Sequence, residues 1–154
     1  MDEQERIART RECLRQYRPM RAAADNLKAE ARELTARLSD VPAAIAKYGD
    51  DPGGGTTELN AIEQSVDKRI RLEERIKQIR EELRERERKL RRIDTALDGL
   101  PYQLRGLIIA HYIEGRSWLE LAELSNYSES WTRKRGKRAL QYVATSIFYG
   151  ECQA

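Results

Sequence analysis

The chain is poor in the residues that build enzyme centres and disulfide frameworks. It has one histidine and two cysteines in 154 residues, and Cys13 and Cys152 stand near opposite ends, without the short spacing of a metal site. No nucleophile and base share a spacing that suggests a catalytic set. We therefore predict no enzyme activity, no metal and no cofactor. A cytoplasmic, reducing setting with both cysteines as free thiols is expected.

Aromatic and apolar residues are also scarce. Aromatic residues make up 6% of the chain and charged residues 36%, and the mean hydropathy is -0.79. No apolar run approaches the roughly 20 residues of a membrane span, and the polar start MDEQERIART lacks the apolar core of a secretory signal. A compact globule needs more apolar residues, whereas long helices expose most of their surface. The composition therefore predicts an elongated all-α protein without a membrane segment.

Proline and glycine are few, and they mark boundaries. Four glycines and one proline fall in residues 49–57, GDDPGGGTT, which predicts a loop. No Gly-Lys-Ser/Thr motif follows, so a phosphate-binding loop is disfavoured. Pro19 interrupts a helical region over about 4–38, and it either kinks one helix or opens a second in its first turn. Pro42 predicts a short helix, Val41 to Lys47.

Two stretches carry the spacing of a coiled coil, with apolar residues in alternating steps of four and three. The first covers about residues 27–48. The second lies on a long helix that Thr56 or Thr57 caps and that ends near Asp98, with Arg86 as the one polar residue in its seam. An antiparallel helical hairpin over 1–98 is predicted, and a second seam between two chains stays open, because a lone hairpin buries little surface. A looser stripe of Leu59, Ile62, Val66 and Ile70 precedes the seam, whose apolar residues, the candidate oligomerisation positions, are Leu72, Ile76, Ile79, Leu83, Leu90, Ile93 and Leu97.

The C-terminal region, 99–150, predicts three short helices with well-marked ends. Gly99 stops the long helix, and Pro101 opens a helix over 102–112. Turns at 114–116 and 126–127 precede two capping serines, Ser117 and Ser128, which begin helices over 118–124 and about 129–148. The inner face of the last helix, predicted to pack on the helices before it, is Thr132, Gly136, Ala139, Leu140, Val143 and Ile147.

The outer face of the last helix is basic, since five of the six residues 133–138 are Lys or Arg. Lysine and arginine neutralise DNA phosphates, arginine also bridges a guanine edge, and the early residues of a recognition helix reach the bases. An ordinary solvated helix face is the alternative interpretation. The candidate DNA-binding residues are Ser128 at the cap, Ser130, Trp131, Arg133 and Lys134 for bases, Lys137 and Arg138 for the backbone, and Arg135 for either.

The segment LDGLPYQLRGLIIAHYIEGRSWLELAELSNYSESWTRKRGKRAL resembles region four of bacterial sigma factors, whose helix-turn-helix it implies here. The matching motifs are Leu100-Pro101, the turn from Tyr112 to Gly115, Leu121-Ala122, Ser128, and Arg138-Ala139-Leu140. Trp131-Thr132 and Gly136 depart from the family pattern, and the glycine in place of an apolar residue predicts looser packing. No other sigma region is present.

Over nearly the whole chain, the sequence is similar to the ArpU/RinA-like group of phage-encoded regulators. This resemblance implies a late-gene transcription activator of a phage or prophage, in the cytoplasm of a bacterial host. We expect a sequence-specific regulator of double-stranded DNA that acts as a homodimer, with the N-terminal helices pairing two copies or contacting a protein such as RNA polymerase.

Two other functions stay open. A phage small terminase subunit also joins a helix-turn-helix to a coiled coil, but in a ring of many copies. A coiled-coil scaffold would bind protein rather than DNA. His111 has no partner at a catalytic or ligand spacing, so a structural or surface role is expected. Trp118 is predicted to be a packing residue.

Overall fold

The computed structural model describes residues 1–41 and 56–149, and in these ranges the chain is helical without a strand. The predicted all-α class is confirmed. The predicted loop at 49–55 and most of the short helix Val41 to Lys47 lie outside the described residues, whereas Thr56 and Thr57 belong to a helix. The helices are α1 (Glu3–Arg15), α2 (Tyr17–Asp40), α3 (Thr56–Asp98), α4 (Tyr102–Ile108) with a π-helical extension (Ile109–Ile113), α5 (Trp118–Ser125) and α6 (Glu129–Ile147).

The predicted first helix is two helices that meet at Gln16. Asp2 caps α1, because its Oδ1 accepts a hydrogen bond of 2.7 Å from the amide of Glu5. The amide of Gln16 still donates to the carbonyl of Glu12, at 2.9 Å. Pro19 lies in the first turn of α2, where backbone amides have no intrahelical partner and a missing N–H costs nothing. Pro19 therefore lies in the first turn of a second helix and does not kink one continuous helix.

One compact unit comprises residues 23–86, from the longer parts of α2 and α3. Glu30 pairs with Arg75 at 3.0 Å, and Val41, just after the end of α2, lines a groove with Ser65, earlier on α3. The contacts on α3 therefore move back along the sequence as those on α2 move forward, as in antiparallel packing.

The apolar seam predicted on α3 is largely buried within a single chain. In the unit of residues 23–86, Ile76 is 5% exposed and Ile79 is fully buried. In contrast, the earlier residues Leu59, Val66 and Ile70 are 49%, 39% and 54% exposed. These three, named the exposed stripe below, are the exposed large apolar residues among the described side chains of α3.

The second compact unit joins residues 1–22 to the described residues from 87 onward. This division differs from the predicted boundary at 98/99, because α1 and the end of α3 share a core with the C-terminal helices. Thr10 is fully buried, with its hydroxyl donating to the carbonyl of Arg6 at 2.8 Å. The buried core comprises Leu14, Ile93, Ala96, Leu97, Leu100, Ile108, Ala139, Leu140, Val143 and Ile147.

The predicted helix over 102–112 changes its hydrogen bonding at Ile109. The amide of Glu114 donates to the carbonyl of Ile109, and that of Arg116 to the carbonyl of Ala110, both at 2.9 Å. The first of these is the i→i+5 bond of a π-helix. A backbone φ of +78° at Gly115 then turns the chain toward α5, a conformation that glycine adopts without strain.

Trp118 fills the space beside Gly136. Its ring stacks on that of His111, with centroids 3.6 Å apart, and meets the edge of Tyr112 at 6.0 Å. A Cβ atom on Gly136 would lie 2.0 Å from the nearest indole carbon. The looser packing expected from this glycine is therefore absent, because the indole occupies the space that a side chain would take. The packing role predicted for Trp118 agrees with these contacts.

Replacing Gly136 with alanine tests this packing. We expect Gly136→Ala to lower the free energy of unfolding by about 1–3 kcal/mol, because the indole is held on both sides and must shift. Gly106→Ala on α4 is the matched control. Nothing lies within 4 Å of a Cβ there, so the higher helix propensity of alanine should stabilise it by about 0.5–1 kcal/mol. Urea denaturation measures both, and equal gains in the two variants would contradict the packing.

Candidate nucleic-acid interface

The start of α6 is fixed by local hydrogen bonds that the sequence predicts. The hydroxyl of Ser117 accepts from the amide of Glu120 at 3.1 Å, and that of Ser128 from the amide of Trp131 at 3.2 Å. Between them, Asn126 takes a left-handed φ of 60°, which ends α5 in one residue. Both predicted caps and the predicted turn are confirmed. Ser128 thus uses its hydroxyl as a cap, while remaining exposed.

The helix α6 has one buried face and one exposed face. Every residue of the predicted inner face is buried, as is Ala144. Ser130, Trp131, Arg133, Lys134, Lys137 and Arg138 are exposed, and Arg135 is half-buried at the boundary. The residues predicted to contact DNA are therefore brought together on one accessible surface.

Most of the charge on this surface is uncompensated. Arg133 pairs with Glu129 one turn earlier, at 2.8 Å, and both side chains are about half exposed. An exposed pair of this kind contributes only about 0–1 kcal/mol, so Arg133 can exchange Glu129 for another partner at small cost. Among the described residues, Lys134, Lys137 and Arg138 make no ion pair. Four cations against one carboxylate leave this face strongly positive.

Three side chains form a stack at the edge of this surface, here named the aromatic stack. The rings of Tyr127 and Trp131 lie 3.9 Å apart, and the guanidinium carbon of Arg135 lies 4.5 Å from the centre of the Trp131 ring. Both groups contact the Trp131 ring, which is still 39% exposed. The cation–π contact favours a guanidinium of Arg135 that stays beside the indole.

A groove of about 500 Å³ opens beside α6. Arg133 and Lys137 line it from α6, and Arg11 and Arg15 line it from α1, around His111 and Trp118. We name this the basic groove. The two arginines of α1 were not predicted from the sequence. Their spacing of four residues puts them on one helix face, but no sequence pattern brings that face to α6.

His111 is held in its neutral form within the basic groove. Its Nδ1 lies 2.7 Å from the carbonyl oxygen of Arg116, which can only accept, so Nδ1 carries the proton. Burial lowers the pKa of His111 below its ordinary 6.5, the hydrogen bond to Arg116 raises it, and the positive charges of Arg11 and Arg133 lower it further. The ring is therefore an uncharged part of the groove floor at neutral pH.

The described residues offer little for other chemistry. Cys13 is a free, half-buried thiol, and burial raises its pKa, which keeps it protonated; Cys152 lies outside the described residues. Within 1–41 and 56–149, no three His, Cys, Asp or Glu side chains gather where they could hold a metal ion. No helix in that part of the chain has both the length and the apolar character needed to cross a membrane.

No family model, curated protein or solved structure matches the chain. A function therefore has to be inferred from the exposed face of α6 and from the basic groove beside it.

The lowered pKa of His111 predicts a pH-dependent stability. A depressed pKa means that the folded state binds the proton more weakly than the unfolded state. The contribution of the neutral ring is therefore complete above pH 6.5 and is lost as the pH falls through 6.5 toward the folded pKa. Urea denaturation should show the wild type losing this contribution as the pH falls below 6.5.

The control is His111→Gln, whose amide can still donate to the carbonyl of Arg116 but does not titrate. The difference in stability between the wild type and this variant should shrink as the pH falls. Parallel pH profiles of the two proteins would show that His111 does not have a lowered pKa.

Proposed function

We propose that the protein is a sequence-specific, double-stranded DNA-binding transcription regulator whose α6 lies in the major groove. The observation that carries this proposal is the exposed basic face of α6 opposite a fully buried face. The major groove of B-DNA is about 12 Å wide and admits one helix. At 1.5 Å per residue, the 19 residues of α6 extend about 28 Å, so its N-terminal half can enter the groove while the rest packs on the core.

The proposed architecture is a long helical hairpin followed by a three-helix domain. In it, α5, the turn at Asn126 and α6 form a helix-turn-helix, and α4 packs behind them. The serine caps and the single-residue turn support this reading, because a short, rigid turn is what aims a recognition helix. The antiparallel contacts between α2 and α3 support the hairpin.

The side chains divide by their place on α6. Ser130, Arg133 and Lys134 lie in its first two turns and are proposed to contact base edges. Lys137 and Arg138 lie one turn later and are proposed to neutralise phosphates. Trp131 contributes through the exposed part of its ring, and its cation–π contact is proposed to position Arg135.

The resemblance to ArpU/RinA-like regulators supports a biological setting for this binding. On that basis we propose a late-gene activator of a phage or prophage, working in the cytoplasm of the bacterial host. RNA polymerase is the protein partner that such an activator contacts.

A homodimer is proposed to present two α6 helices at once. The exposed stripe on α3 is a repeated apolar surface, which soluble helices seldom leave uncovered without a partner. Pairing two copies doubles the phosphate contacts and sets the spacing of the half-sites. The exposed stripe is preferred to the later seam residues, because Ile76, Ile79 and Leu90 are already buried within one chain.

Two substitutions on α6 separate base reading from backbone binding. Arg133→Ala should cost about 1–3 kcal/mol on a site selected from random DNA, and it should relax the preference at one base position. Lys137→Ala should weaken binding about equally on all sequences and reduce the salt slope by about one. Site selection followed by titration at fixed salt measures both effects.

The outcomes distinguish the three functions. Wild-type binding by both variants would show that α6 does not read DNA. A wild-type protein that binds no duplex would favour the protein-binding scaffold. A ring of many copies in light scattering would favour a small terminase subunit.

Charge placed in the exposed stripe tests the dimer. The double variant Val66→Glu with Ile70→Glu should be a monomer by light scattering and should bind a two-half-site operator more weakly than wild type, because one half-site is then contacted at a time. The control is Asn60→Glu with Gln64→Glu, which adds the same charge at exposed polar positions of α3. Equal oligomer mass for both double variants would show that the stripe is not the contact.

A further inference from the structure

We propose that α1 is part of the DNA-binding surface, with Arg11 and Arg15 binding the phosphodiester backbone of the strand that runs along the basic groove. This inference rests on the proposed function, and it extends the interface from α6 to a helix 120 residues away in the chain. The occupant is a DNA backbone, and neither Arg11 nor Arg15 is assigned a base contact.

The charge of the basic groove fits a polyanion. Four cations line it, and Glu114 is the one carboxylate among its lining residues. The charge of Glu114 is itself met by Arg116, at 3.4 Å. Arg15 makes only a long contact of 3.5 Å with the exposed Glu12, which water and salt screen. A net positive concavity of this kind attracts phosphates before any close contact forms.

The two arginines are held on the same rigid body as α6. Leu14, between them in sequence, is fully buried in the shared core, and α1 packs directly on α6. Near the start of α1, the carboxylate of Glu3 accepts a hydrogen bond from the side-chain Nε2 of Gln141 on α6, at 3.3 Å. Arg11 and Arg15 are one helical turn apart, about 6 Å along the axis, so both side chains point into the groove.

The groove also offers a hydrogen-bonding floor. Burial raises the pKa of Tyr112 on the π-helical turn, and the charge of the nearby Arg11 lowers it, so the guanidinium of Arg11 lies close to this hydroxyl at the groove. Lys137 faces the groove from α6 and makes no ion pair among the described residues. A phosphate between α1 and α6 would be contacted from both sides, which one isolated helix cannot do.

The test compares the salt dependence of binding to a mixed-sequence DNA duplex, because phosphate contacts do not require a cognate site. Arg11→Gln with Arg15→Gln should lower the slope of log affinity against log salt by about 1.8, since each lost contact removes about 0.9. The advantage of the wild type over this variant should therefore shrink roughly tenfold between 50 and 200 mM salt.

Three further proteins make the result specific. Arg6→Gln with Arg9→Gln removes the same charge from other faces of α1 and should keep the wild-type slope. Arg11→Lys with Arg15→Lys keeps the charge and should restore most of the slope, which separates lost contacts from lost folding. Lys134→Ala with Arg138→Ala lowers the slope through α6 outside the groove, and it reports on the proposed function alone.

His111 gives a readout inside the groove, and it is the chain's single histidine, so its proton NMR signals are unambiguous. The charged groups around it are Arg11 and Arg15 from α1, Arg133 and Lys137 from α6, and Glu114 and Arg116 from the turn. A bound phosphate offsets the positive potential and should raise the pKa of His111. In Arg11→Gln with Arg15→Gln, the same duplex should raise it less.

The failures are distinguishable. The role of α1 would be overturned, and the proposed function would stand, if two results came together. The variant Arg11→Gln with Arg15→Gln would keep the wild-type salt slope, and the variant Lys134→Ala with Arg138→Ala would have a lowered one. An unchanged pKa of His111 in the bound wild type would also overturn it. No salt-dependent binding by the wild type would overturn both.

Discussion

The exposed basic surface depends on the burial of the opposite face of α6. A helix with five cations in six residues repels itself, and an isolated helix of this length is marginal in water even without that repulsion. Leu140 and Val143 are at most 1% exposed, and Trp118 covers the helix at Gly136. The apolar contacts of the inner face therefore supply the stability that the charges of the outer face remove. A substitution that loosens that core would therefore destabilise α6, and with it the arrangement of the basic side chains.

Local chemistry explains why much of this region could be predicted. The Ser117 and Ser128 caps, the left-handed turn at Asn126 and the two faces of α6 each depend on residues within about four positions of one another. Helical periodicity encodes such short-range relations directly. The break near Pro19 was also visible, although the sequence left open which of two helical forms it takes.

The features that the sequence did not predict all depend on contacts between distant residues. The docking of α1 on α6, the indole of Trp118 beside Gly136, and the stack of Trp131 with Tyr127 and Arg135 need three-dimensional neighbours that no spacing rule supplies. The π-helical turn at Ile109 changes one hydrogen bond without changing the apolar pattern. At Gly136, the large indole of Trp118 on α5 fills the volume that the absent side chain on α6 leaves free. Single-position comparison with a family pattern therefore led to the wrong expectation.

The shared core decides which piece of the chain can carry the proposed DNA-binding surface. Leu14 from α1 and Ile93, Ala96 and Leu97 from α3 belong to the same buried cluster as Leu140 and Val143 of α6. A fragment that begins at residue 100 would expose the faces of Ile108, Leu140 and Val143 that these residues cover. At about 25 cal/mol per Å² of apolar surface, losing several such side chains removes several kcal/mol, comparable with the whole stability of a small domain. Weak DNA binding by such a fragment would thus report unfolding as readily as a missing contact. A fragment that lacks only α1 would lose Leu14 together with Arg11 and Arg15, so substitutions at the two arginines separate charge from packing where truncation cannot.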